Sequence, residues 1–133
     1  MTQTKTQKIF SDQAPYANTA QGNTQKLLFV CSVGMLRSPT AQMAATELGF
    51  NARACGSDTE IALIPLSCNL INWADKIVFM NGENFYESLR EFKDVGYDID
   101  IREKAVLWNI GDNYDWNDPW LYNHFLDKLK DFK

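Results

Sequence analysis

Apolar positions along this chain fall into short runs, and between the runs they recur at helical spacing. Lys26 to Val30 (KLLFV) is an apolar run bounded by polar residues, which suits a buried strand of a parallel sheet. Ser38 and Pro39 then open a helical pattern, Ser38 as N-cap and Pro39 at the first helical position. Ala41, Ala44, Ala45, Glu47 and Leu48 continue it as good helix formers, and Gly49 is a natural stop. Asn51 to Cys55 reads as a second strand, and Gly56-Ser57-Asp58 as a turn. Leu66, Leu70 and Trp73 fall at helical spacing and predict a short helix from Leu66 to Trp73. Lys76 to Met80 is a third strand, closed by an Asn81-Gly82 turn. Phe85, Leu89 and Phe92 predict a helix from Glu83 to Phe92. Lys93 to Glu103 reads as a polar connection, and Ala105 to Ile110 as the fourth strand. Leu121, Phe125 and Leu129 mark a last helix, for which Asp118-Pro119 supplies a cap and a first residue.

Strands alternating with helices predict an α/β fold. With right-handed crossovers this is a three-layer arrangement: a four-stranded parallel sheet in the order 2-1-3-4, with helices on both faces. The 133 residues suffice for one domain, which we place at residues 26–133. Residues 1–25 are mostly Thr, Gln, Asn, Ser and Ala and read as a flexible polar extension.

Composition narrows the class. The net charge of −4 argues against a nucleic-acid partner. No apolar run approaches the ~20 residues of a membrane span, and the polar N-terminus has no signal-peptide core. Three cysteines, Cys31, Cys55 and Cys68, form an odd set without export signals, which points to a reducing, cytoplasmic setting. His124 is the single histidine and no Cys-x-x-Cys exists, so neither a metal site nor a cofactor is expected.

The chemistry lies between the first strand and the first helix. Cys31 ends the strand, Arg37 follows after five residues, and Ser-Pro opens the helix. In an open parallel sheet, ligands bind at the carboxyl ends of strands. A helix N-terminus favours an anion there through its unpaired N–H groups and its dipole. The backbone of Ser32, Val33, Gly34, Met35 and Leu36 can form a nest around phosphate oxygens, with Gly34 free to take a positive φ. Arg37 can offer two parallel N–H donors to such an anion. Cys31 lies under the centre of that cradle, where the dipole and Arg37 favour a thiolate, and a thiolate against a phosphate is a nucleophile for phosphoryl transfer. The Ser38 hydroxyl can donate to the sulfur and ease its departure. The alternative is a buried strand-end cysteine and a surface arginine without chemistry.

Leu28-Phe29-Val30-Cys31, Arg37-Ser38-Pro39-Thr40-Ala41 and the later Asp118-Pro119-Trp120 resemble the low-molecular-weight protein tyrosine phosphatase family, from about Lys26 onward. The resemblance implies the fold above and a phosphomonoesterase acting through a phosphocysteine on Cys31. Its substrate would be a phosphorylated protein, such as a phosphotyrosine protein, or a small phosphate ester, and inorganic phosphate its product. It makes Asp118 the general acid and base, with Asp112 and Asp115 as the other candidates, and it places Trp120 beside the entrance. It also makes Thr59 to Pro65 one wall of that entrance, with Ile61, Leu63 and Ile64 lining it; taken by themselves, these residues read equally well as core. Two positions depart from the family. Val33 and Gly34 stand where it usually has Gly and Asn, and Leu36 stands where many members carry a second, protective cysteine. Two other readings share the loop. An arsenate reductase would need further thiols, in a paired arrangement that Cys55 and Cys68 do not have. A phosphocysteine carrier would need neither Arg37 nor Asp118, and a non-catalytic phosphate-binding module would follow if the departures at Val33 and Gly34 had weakened catalysis.

Overall fold

The computed structural model describes residues 25–32, 37–110 and 119–132. The expected polar extension therefore lies outside the described residues, apart from Gln25.

Four parallel strands form one sheet in the order β2-β1-β3-β4, as the sequence predicts: β1 (Lys26–Cys31), β2 (Asn51–Gly56), β3 (Lys76–Phe79) and β4 (Ala105–Leu107). The apolar run Leu27–Val30 has no exposed surface because β1 is central and covered on both faces. Alternation of side chains across the sheet divides the core in two. Leu27, Phe29 and Cys31 of β1 face one layer with helices α1 (Arg37–Glu47) and α5 (Pro119–Leu129). Leu28 and Val30 face the other, with α2 (Cys68–Trp73), α3 (Gly82–Phe92) and α4 (Asp98–Lys104). Three layers result, with helices on both faces.

The small side chains of α1 explain its position. Ala41, Ala44 and Ala45 are fully buried, so the helix lies close on β1 and β2. It ends in two bonds, Gly49 N–H to the Thr46 carbonyl at 3.0 Å and Phe50 N–H to the Ala45 carbonyl at 3.0 Å. Gly49 has φ +92, the left-handed position that this termination needs. On the outer side α5 docks through Leu121, Phe125 and Leu129, all at 0% exposure. Trp108 stacks on Phe125 at 5.5 Å and tilts against Phe29 at 5.7 Å.

Several boundaries differ from expectation. The segment read as a polar connection contains α4, whose single buried residue is Ile101, so it lacks the apolar stripe by which helices are recognised. Strand β4 stops at Leu107 rather than Ile110 because Asn109 takes φ 55, which breaks the ladder. Trp108 and Ile110 still donate to the Phe79 and Met80 carbonyls. Helix α2 begins at Cys68 because Ser67 is its cap, its Oγ accepting from Leu70 N–H at 3.3 Å. Leu66 instead bonds through its N–H to the Gly56 carbonyl. Ser38 lies inside α1 rather than at its cap, with its hydroxyl engaged elsewhere.

Candidate active site

Cys31 closes β1 at the carboxyl edge of the sheet, paired with Gly56 of β2. The order 2-1-3-4 puts this edge at the point where the chain reverses its direction of travel across the sheet, the place such sheets keep for ligands. Cys31 is 2% exposed, Arg37 4% and Ser38 0%. These three residues are far better buried than a polar loop end requires.

The Cys31 sulfur lies 3.0 Å from Ser38 Oγ, and that hydroxyl also lies 3.3 Å from the Cys55 carbonyl. A hydroxyl has one proton. With Cys31 as a thiol, its S–H donates to Ser38 Oγ and the serine donates to the carbonyl. With Cys31 as a thiolate, the serine proton turns onto sulfur and leaves the carbonyl. The one contact thus serves both protonation states of the sulfur.

Arg37 opens α1, and its Nη1 donates at 2.7 Å to the Ile110 carbonyl. Ile110 is in turn tied to the end of β3, its N–H donating to the Met80 carbonyl at 2.6 Å. The buried guanidinium is therefore anchored to the last described residue before the Asp-rich segment. The loop positions Val33, Gly34, Met35 and Leu36 lie outside the described residues, and so do Asp112, Asp115 and Asp118. Trp120 stands 56% exposed in the first turn of α5, its ring stacked on His124 at 4.9 Å and 11°. The next residue, Leu121, packs in the same cluster as Cys31.

Two features of the edge were not legible in the sequence. The β2 end latches the start of the loop, Ser57 N–H donating to the Cys31 carbonyl and Asp58 N–H to the Ser32 carbonyl, both at 2.8 Å. Beneath them Asn84 donates to Ser32 Oγ at 3.0 Å and to Ser57 Oγ at 3.3 Å, while Ser57 Oγ donates to Glu87 Oε1 at 2.6 Å. Nothing in the local pattern marks Asn84, which falls in the first turn of an ordinary amphipathic helix.

The segment between Ser57 and Pro65 leaves the same edge. Ile61, Leu63 and Ile64 are 64%, 76% and 58% exposed, so of the two expectations the core is ruled out and a surface wall remains. Burial first, and the neighbouring Cys31 second, hold the Cys55 thiol well above the ordinary cysteine range. Cys55 packs in the cluster on the opposite face of the sheet from Cys31. The Cys68 thiol is raised too, mainly by burial.

No protein-family model matches the chain, and no curated protein matches it. Solved structures do resemble it. Wzb from Vibrio vulnificus, in complex with benzylphosphonate, superposes with a TM-score of 0.61 at 16% identity, covering 83% of this chain and 97% of its own. The low-molecular-weight protein tyrosine phosphatase SP-PTP from Streptococcus pyogenes gives 0.56 at 17%, covering 82% and 91%. The YwlE arginine phosphatase from Geobacillus stearothermophilus gives 0.54 at 18%, covering 80% and 86%. The sheet order, the layering of the helices and these superpositions together establish that the chain has the fold of the low-molecular-weight protein tyrosine phosphatases.

Proposed function

We propose that this protein is a cysteine-dependent phosphomonoesterase. The observation that carries the reading is the buried trio at the carboxyl edge of β1: Cys31 at the strand end, Ser38 Oγ 3.0 Å from its sulfur, and Arg37, 4% exposed, the residue before Ser38 in the first turn of α1. A buried arginine in the first turn of a helix, followed by the serine that contacts a buried thiol, suits a phosphate dianion better than it suits any apolar ligand.

In the first step the Cys31 sulfur attacks phosphorus in line, forming the S–P bond as the bond to the leaving oxygen breaks. Arg37 and the loop amides of residues 32–37 stabilise the charge spread over the equatorial oxygens. Asp118 gives its proton to the leaving oxygen, and its carboxylate then takes a proton from water. That water attacks phosphorus, inorganic phosphate leaves, and the Cys31 thiolate is restored with Ser38 donating to it.

Phosphotyrosine and other aryl phosphates suit the rim, where Trp120 offers an exposed ring and Ile61, Leu63 and Ile64 an apolar edge. The benzylphosphonate of the Vibrio protein is of the same chemical kind, whereas the phosphoarginine implied by the name of the Geobacillus protein has a charged leaving group less suited to it. An arsenate reductase is less well supported, because Cys55 is buried on the opposite face and both remaining thiols are pushed toward the protonated form. A thiolate nucleophile fits the reducing, cytoplasmic setting expected from the cysteine count.

The test is phosphate release from p-nitrophenyl phosphate by wild type, Cys31→Ser and Asp118→Asn, with a chelator present. Turnover is expected without metal, abolished in Cys31→Ser and lowered roughly 10²- to 10⁴-fold in Asp118→Asn, the usual span for loss of a general acid. Turnover that survives Cys31→Ser overturns the nucleophile. Loss in Cys31→Ser alone moves the acid to Asp112 or Asp115.

A further inference from the structure

We propose that Asn84 is a positioning residue for the reaction centre: through a partly buried hydrogen-bond chain ending on Glu87, it clamps Ser32, the residue after the nucleophile, to the end of β2. The proposal rests on the phosphatase reading of the site given above.

Asn84 is 1% exposed, and its main chain is fixed at both ends. Its N–H donates to Asn81 Oδ1 at 3.0 Å and its carbonyl accepts from Ser88 Oγ at 2.8 Å. The direction of the side-chain bonds follows from the far end of the chain. Ser57 Oγ donates to Glu87 Oε1 at 2.6 Å and so commits its one proton there. Ser57 Oγ can then only accept from position 84, which turns the amide NH2 of Asn84 toward the two serines. Ser32 Oγ accepts the second N–H, and its own proton is directed elsewhere.

The same pair of residues is latched through the main chain. Ser57 N–H and Asp58 N–H hold the carbonyls of Cys31 and Ser32. In a planar trans peptide the N–H lies opposite the carbonyl, so the Ser32 N–H is turned away from Ser57. Side chain and main chain thus fix one orientation of the loop entry. Cys31 is held between this latch and the Ser38 contact.

A purely structural purpose fits the geometry less well. One of the two serines, Ser32, is exposed, where a hydrogen bond adds little to stability. Among the described residues Asn84 Oδ1 is buried without a partner, an arrangement that costs stability. Such local expense is what proteins accept at functional sites. A displacement of the nucleophile by about 1 Å can cost on the order of 10²-fold in rate.

The experiment is a double-mutant cycle of Asn84→Ala and Ser32→Ala, read as kcat and KM for p-nitrophenyl phosphate and as affinity for inorganic phosphate. Each single change is expected to lower kcat about tenfold, with KM moved less. The double variant is expected to be no worse than Asn84→Ala within about twofold, because both changes break one clamp. A merely structural asparagine would lower Tm and leave the kcat of folded protein intact. Ser32→Ala alters an exposed side chain, so it carries the test should Asn84→Ala fail to fold. Values of kcat within about twofold of wild type in the folded single variants, or losses that simply multiply, overturn the proposal. If the wild type turns over nothing, the phosphatase reading fails and phosphate affinity decides. About a tenfold weaker affinity in both singles, with no further loss in the double, supports the clamp. Unchanged affinity, or a wild type that binds no phosphate, overturns it.

Discussion

Ser38 illustrates how one side chain takes two duties at the scale of single residues. Its sequence position marks a helix cap, yet its hydroxyl bridges the Cys31 sulfur and the Cys55 carbonyl. The bond to sulfur is strongest when the sulfur is charged, as it would be when the proposed phosphocysteine breaks down. Ser38→Ala should therefore slow the second step roughly ten- to a hundredfold, the range for a hydrogen bond to a charged group. A burst of nitrophenol preceding a slow steady state would show it; equal slowing of both steps would not fit. Arg37 carries a comparable lesson. Its charge and its place after Cys31 are plain in the sequence, but its buried bond to the Ile110 carbonyl joins residues far apart in the chain.

At the scale of elements, α3 does more than cover the sheet. Asn81 Oδ1 accepts from Asn84 N–H and so caps the helix that presents Asn84. Asn81→Ala should cost about 1 kcal/mol, a typical loss for an N-cap, read as a lower urea midpoint with an unchanged slope. The apolar spacing Phe85, Leu89, Phe92 makes this helix readable, because its buried stripe is regular. Helix α4 has no such stripe, with Ile101 buried and Ile99 62% exposed, and its pattern reads as a connection. Strand β4 is short for a reason local pattern cannot express, the left-handed Asn109 within an apolar run.

For the whole molecule, the segment Thr59 to Pro65 leaves the proposed reactive edge and shows three large apolar side chains to solvent. Exposed residues of this kind carry little stability, so Leu63→Ser and Ile61→Ser should change unfolding free energy by less than about 0.5 kcal/mol. On the proposed reading of the site, their effect belongs to substrate contact. Turnover of a phosphotyrosine peptide should fall several-fold while that of p-nitrophenyl phosphate stays near wild type. Equal losses on both substrates would place these residues in the chemistry instead of the surface.

Sequence alone determined what depends on neighbours along the chain. The apolar runs gave the strands, alanines at helical spacing gave α1, and Gly49 gave its end. Alternation of strands and helices gave the parallel sheet and its order. The spacing of Cys31 and Arg37 pointed to the proposed reactive edge, because a strand, a loop and a helix start are consecutive. Tertiary structure decided what depends on residues brought together across the fold. It turned Ser38 from cap to sulfur partner, set Arg37 against Ile110, and exposed the apolar segment that could as well have been core. It also joined Ser32, Ser57, Asn84 and Glu87, which lie on three separate elements or their ends. Periodicity reports which face of an element is buried; it holds no information on which polar atoms meet beneath a loop, since that is fixed by how the layers pack.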